Sequence, residues 1–196
     1  GREVADQFSG HAQRYFERLR QVLDGIDHSE IERFVDLLLQ ARQSGQNIFF
    51  VGNGGSAATS SHFANDLSIG TRQQEKPFKV ISLVDNIATL SAIGNDYGYD
   101  QIFARQIKVY GQKDDLLVGI SASGNSPNLL RAFETGRELG LVTVSITAFD
   151  GGKLKEIADH SVHVPTNAGE YGPAEDAHLI LDHLITYYFQ SVLGAA

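Results

Sequence analysis

The 196-residue chain contains no cysteine, methionine or tryptophan. Without cysteine it can form no disulfide, no thiolate metal site and no thiol nucleophile, which fits a cytoplasmic protein. Without methionine it has no start residue, so Gly1 is expected to be a processed end. No apolar run approaches the length of a membrane span, and no basic-then-apolar leader opens the chain. Lys and Arg number 16 against 24 Asp and Glu, a net charge of −8. The basic residues are scattered, which disfavours a nucleic-acid surface. An anionic ligand would have to be held by local backbone donors and hydroxyls, not by the overall field. Prolines number four, with no Pro-rich linker, repeat or low-complexity tract. What remains is 42% apolar and 20% charged, the composition of a globular protein that buries a full core.

Apolar periodicity predicts a helix over 4–26, carried by Phe8, Tyr15, Phe16, Leu19 and Val22 among others. A second helix is expected over 30–43, with Ser29 and Glu32 in capping-box spacing and Gly45 ending it. Short apolar runs then alternate with helical patterns. Strands are expected at 48–51, 80–83, 116–120, 142–146 and 162–164, and helices at 57–68, 87–93, 100–109, 127–139, 152–158 and 174–192. Such alternation implies an α/β fold, an open five-stranded parallel sheet flanked by helices in a flavodoxin-like three-layer arrangement. The two leading helices precede the first strand and cannot be crossovers. One domain is therefore expected, with 1–45 as a helical pair for oligomerisation and 46–196 as the α/β core.

Ligands of open α/β sheets bind beyond the carboxyl ends of the strands. Two strand-to-helix loops there are dense in glycine and serine: Gly52-Asn53-Gly54-Gly55-Ser56 and Ser121-Ala122-Ser123-Gly124-Asn125-Ser126-Pro127. Ser126 suits an N-cap and Pro127 the first helical position. Free N–H groups at a helix start, together with hydroxyls, would solvate a phosphate. Ordinary capped turns would explain one such loop more easily than two in one sheet. Gly52-x-Gly54-x-x-Ala57 also fits a dinucleotide fingerprint, but Asp85 lies too far along to be its acidic partner.

His62 and Asp66 are four apart and share a helix face. The last helix offers Glu175, His178, Asp182 and His183. Glu175 is compatible in angle with either histidine, so spacing does not choose between His178 and His183. Solvated helix faces would account for each residue singly. Together, two helices each giving a histidine and a carboxylate could form a two-histidine, two-carboxylate set for Zn²⁺, or a metal-free acid–base pair.

The motifs "GNGGSA", "HFANDL", "GND", "GISASGNSPN", "DGGK" and "EDAHLILDHL", in this order, resemble the phosphoheptose isomerases of the sugar isomerase (SIS) superfamily. The resemblance covers nearly the whole chain. It implies a cytoplasmic homotetramer with sites between subunits that isomerises sedoheptulose 7-phosphate through an enediol, in heptose synthesis for lipopolysaccharide, capsule or a secondary product. It places Ser56, Ser121, Ser123 and Ser126, with Gly54 and Ala122, around the substrate phosphate and nearby hydroxyls. Asn53, Asp96 and Glu175 would contact the sugar. His62, Asp66, Glu175 and His183 would hold Zn²⁺, and Asp66 with His183 would be the catalytic pair. The chain departs from the family pattern in having Asp66 for the usual glutamate base, Glu175 for glutamine, and Gly70 for an arginine, with Arg72 close by. A related replication-initiation regulator with this fold, which lacks the catalytic pair, supplies the alternative reading of a non-catalytic binding module.

Overall fold

The computed structural model describes residues 1–194. Two helices come first: α1 (Arg2–Asp24) and α2 (His28–Ser44). The Asp27 side chain caps α2 by accepting from the Ser29 N–H, two residues earlier than the capping box expected from Ser29. Gly45 ends α2 in the left-handed conformation. The α/β core follows as β1 (Asn47–Gly52), α3 (Gly54–Asn65), a π-helical turn (Asp66–Gly70), β2 (Lys79–Ser82), α4 (Ile87–Tyr97), a 3-10 turn (Tyr99–Gln101) and α5 (Ala104–Tyr110). It continues with β3 (Leu116–Ser121), α6 (Pro127–Glu138), β4 (Val142–Thr147), α7 (Gly152–Ile157), β5 (His160–His163) and α8 (Tyr171–Leu193).

All five strands are parallel, in the order β2-β1-β3-β4-β5. The expected architecture is the one observed. In β1, successive side chains feed opposite layers, as the pleat requires. Ile48 and Phe50 join a core with Phe34 and Leu38 of α2, Phe63 of α3 and Phe189 of α8. Phe49 and Val51 join the other, with Ile107 of α5, Leu129 and Phe133 of α6, and Leu154 of α7. The three central strands are almost wholly buried, which explains the continuous apolar runs of β1 and β3. β4 alternates apolar residues with buried Thr143, Ser145 and Thr147, whose hydroxyls bond Asp159, Ser161 and His163. Edge strand β2 alternates instead, burying Val80 and Ser82 while Lys79 and Ile81 face solvent.

The α3 crossover carries the chain from β1 to β2, and the α6 crossover carries it from β3 to β4 in the opposite direction across the sheet. Crossovers of one hand running in opposite directions place their helices on opposite faces. A crevice therefore opens at the carboxyl ends of β1 and β3. Helix α8 packs on α1, α3 and the π-helical turn, so its first half passes this crevice.

Gly119, in the middle of β3, shows how tightly the second layer is packed. A Cβ there would lie 2.6 Å from the Phe133 ring. Gly119→Ala is expected to cost about 1–3 kcal/mol in urea unfolding through overpacking, with part of the loss recovered by Phe133→Leu. An unchanged unfolding midpoint would contradict this packing.

Candidate active site

The first loop brings helix α3 hard against the end of β1. A Cβ at Gly52 would sit 2.6 Å from the Ser56 carbonyl oxygen, so only glycine permits the turn. Gly54 has φ +53° and opens α3 three residues before the apolar pattern begins. A helix start at 57 was expected because glycine reads as loop. A Cβ at Gly55 would meet Glu175 Oε2 at 2.6 Å, so the Glu175 carboxylate lies against bare backbone in the first turn of α3. That end of a helix favours negative charge.

The second loop is braced by side chains and by a neighbouring turn. Ser121 Oγ accepts from the Gly124 N–H at 3.0 Å, and Ser123 Oγ accepts from the Asn125 N–H at 3.3 Å. Ser126 precedes α6 with Pro127 at its first turn, but its hydroxyl makes no capping bond. The Asp150–Lys153 turn abuts this loop backbone to backbone: a Cβ on Gly124 would lie 2.0 Å from Gly151 O. The Leu154 N–H donates to Gly124 O, and the Lys153 N–H to Asn125 Oδ1. The serine loop is thus rigid before any ligand arrives.

Between the loops lies a polar cavity of about 150 Å³, lined by Asn53, Ser56, Ser121, Ala122, Ser123, Ser126, Tyr171 and Glu175 among others. The structure brings together here the serines expected to meet a phosphate, but Glu175 adds a negative charge to the same wall. A larger, more apolar cavity of about 390 Å³ adjoins it, with Asn53, Gly54, Asn95 and Tyr99 in its lining. Asp96 is exposed on α4 and accepts from Asn95 at 2.9 Å; Asn95, not Asp96, lines the cavity.

Further along α8 stands a second group: His62, Asp66, Asp182 and His183 each offer a ligand atom within 4.8 Å of all the others. His62 Nε2 is 3.1 Å from Asp66 Oδ2 and 3.3 Å from His183 Nε2, and His183 Nε2 is 3.7 Å from Asp66 Oδ2. Asp66 opens the π-helical turn, where the widened backbone enters beside α8. Such turns often mark functional sites.

Asp182, not Glu175, completes this cluster. Glu175, also expected among the metal ligands, lies outside this cluster, with its carboxylate at Gly55 and the polar cavity. Successive residues of a helix diverge by about 100°, so Asp182 and His183 flank the crossing turn, one from the core and one from the rim. Asp182 is wholly buried. Its Oδ1 accepts from the Thr186 hydroxyl, while Oδ2 has no partner and lies 3.9 Å from His62 Nε2. Burial first, and the Asp66 carboxylate second, push the Asp182 carboxyl well above the usual range. Two imidazoles, two carboxylates and an orphaned buried oxygen fit a divalent cation of the zinc type.

The SIS domain family matches residues 14–148. The phosphoheptose isomerase of Helicobacter pylori strain P12 is 37% identical over 169 residues, 86% of either chain. That of Clostridium acetobutylicum is 36% identical over 162 residues, 83% of this chain and 82% of its own. The chain belongs to the phosphoheptose isomerase family. The phosphoheptose isomerase structure from Neisseria gonorrhoeae superposes with a TM-score of 0.84 at 29% identity, covering 96% of this chain and all of its own. The Francisella tularensis structure, at 23% identity and a TM-score of 0.85, shares the fold.

Of the two histidines on α8, His183 is the one in the cluster. His178, which spacing alone left equally eligible, is buried on the opposite side of α8, with Nε2 2.9 Å from the Thr147 carbonyl oxygen. That contact makes Nε2 the N–H donor of a neutral ring. Gly70 ends the π-helical turn and accepts from Gln190 Nε2 through its carbonyl.

Burial lowers the His178 pKa from 6.5 to about 4. The unfolded chain takes up the proton first, so the stability His178 provides is complete above pH 6.5 and is lost as pH falls towards 4. The loss is about 3 kcal/mol at the lower end. Thermal melts of wild type should fall across this window more steeply than those of His178→Gln. Parallel curves would contradict the neutral buried assignment.

Proposed function

We propose that the protein interconverts a ketose phosphate and its aldose, with sedoheptulose 7-phosphate as the substrate, through an enediol. The observation that carries this reading is the placement of two unlike sites on one helix. Glu175 at the polar cavity and His183 in the histidine–aspartate cluster are eight residues apart on α8, about 12 Å along its axis. A phosphate in the cavity would leave the far end of an extended heptulose at the cluster.

The chemistry needs a proton taken from C1 and returned at C2. It also needs protons exchanged on the two oxygens, and a clamp that turns remote phosphate binding into orientation. The rigid Ser121–Ser126 loop and Ser56 supply the clamp. Asp66 and His183, with Oδ2 and Nε2 3.7 Å apart, are the pair placed to move the protons. His62, Asp66, Asp182 and His183 would hold Zn²⁺, which when bound polarises the carbonyl oxygen and favours loss of the adjacent proton. The regulator reading is not favoured: the relatives carry the isomerase name, and both members of the expected catalytic pair stand in the cluster.

The same reading includes a cytoplasmic homotetramer with sites between subunits, serving heptose synthesis for lipopolysaccharide, capsule or a secondary product. Phe8 and Phe16 on α1 are 67% and 64% exposed, which supports a self-association face. Light scattering at micromolar concentration should give a tetramer; a monomer would remove this part.

Kinetics on a panel of ketose phosphates test the function. Wild type should form the aldose from sedoheptulose 7-phosphate. Ser123→Ala should raise KM by about tenfold with kcat held, as for a lost uniform contact. Glu175→Gln should lower KM by removing a charge from the phosphate wall. Zn²⁺ calorimetry should show binding weakened at least about tenfold in Asp182→Asn and retained in Glu175→Gln. No aldose from any ketose phosphate would overturn the function, and metal affinity indifferent to Asp182 would overturn the ligand set.

A further inference from the structure

Among the described residues lining the two adjoining cavities, Asn53 alone lines both. Its carboxamide stands where a ligand anchored in the polar cavity would pass the mouth of the apolar one. The carboxamide is held at three points. Asn128, the second residue of α6, forms a reciprocal amide pair with it. Asn53 Nδ2 donates to Asn128 Oδ1 at 2.9 Å, and Asn128 Nδ2 donates to Asn53 Oδ1 at 2.8 Å. The Tyr99 hydroxyl donates to the same Asn53 Oδ1 at 2.9 Å.

An asparagine side chain offers two N–H donors and an oxygen with two lone pairs. Here both lone pairs and one N–H are already engaged within the protein. One hydrogen-bonding position of the carboxamide is left for a ligand. The Tyr99 hydroxyl can donate or accept, so it anchors the carboxamide whichever way the amide pair faces. Asn128 is 2% exposed, so its half of the pair is fixed by packing. The pair also spans the crevice from the loop after β1 to the helix after β3.

We propose that Asn128 and Tyr99 are positioning residues that hold the Asn53 carboxamide for one hydrogen bond to the bound sugar phosphate. This rests on the isomerase reading above. Neither residue needs to touch the substrate. Both act through Asn53.

The test is a double-mutant cycle in steady-state kinetics with sedoheptulose 7-phosphate. Tyr99 suits it because its ring is 65% exposed, so Tyr99→Phe removes one hydroxyl without disturbing the core. Tyr99→Phe should raise KM about three- to tenfold, the effect of one lost hydrogen bond, with kcat and inhibition by inorganic phosphate unchanged. In an Asn53→Ala background the same change should have no further effect, since the residue it acts through is gone. Asn128→Asp, nearly isosteric, should raise KM likewise and be silent in that background. Side-chain amide NMR of wild type should show the Asn53 NH₂ resonances shifted by Tyr99→Phe. Additive effects in the cycle, or an unchanged KM in Tyr99→Phe, would overturn the positioning role while leaving the isomerase intact. A wild type inert on every ketose phosphate would overturn the isomerase reading, and with it any role for this clamp in turnover.

Discussion

In this sheet the strand order reverses between β1 and β3, and the site depends on that reversal. Parallel strands bring every carboxyl end to one edge, but most neighbouring ends are closed over by helices leaving in the same direction. Where α3 and α6 leave to opposite faces, the backbone of two loops is exposed side by side. The glycines at 52, 54 and 55 let α3 start directly at the strand end, and the serine loop does the same for α6. Helix α8 then runs past the opening and sets Glu175 at the loops and Asp182 with His183 further out. The amide pair of Asn53 and Asn128 ties the two sides of the crevice together.

An acidic chain that binds an anion must do so with fixed dipoles, and the charges around the site are arranged accordingly. Among the described residues, the lining of the polar cavity has serine hydroxyls and helix starts but no lysine or arginine. Glu175 works against a phosphate there. At the other end Asp182 is buried beside Asp66 and two imidazoles, where burial and the Asp66 carboxylate disfavour its ionised form and a divalent cation would favour it. His178, one turn before Asp182, stays neutral and serves the core.

Much of this was legible in the residues. The runs at 48–51 and 116–120 are continuous because their strands are covered on both faces, and both anion loops announced themselves by glycine and serine density. His62 and Asp66 read as a pair because a helix spaces them so. The identity of the second carboxylate did not. Asp182 sits next to His183, and whether neighbours on a helix serve one site depends on what crosses between them, here a π-helical turn that no periodicity foretells. Asn128 and Tyr99 were also invisible, since their role exists only once β1, β3 and the 3-10 turn are brought together. Ser126 carried a capping signal whose hydroxyl bond is absent.

The central claim is a proton transfer between neighbouring carbons of a phosphorylated ketose, and solvent deuterium reports it directly. The protein is incubated with sedoheptulose 7-phosphate in deuterium oxide and the products are followed by proton NMR. The account expects an aldose phosphate to appear with deuterium at C2, and deuterium to wash into C1 of the remaining ketose. Neither should occur with His183→Ala. A ketose that stays fully protonated with the wild-type protein, loaded with Zn²⁺ or not, would contradict it.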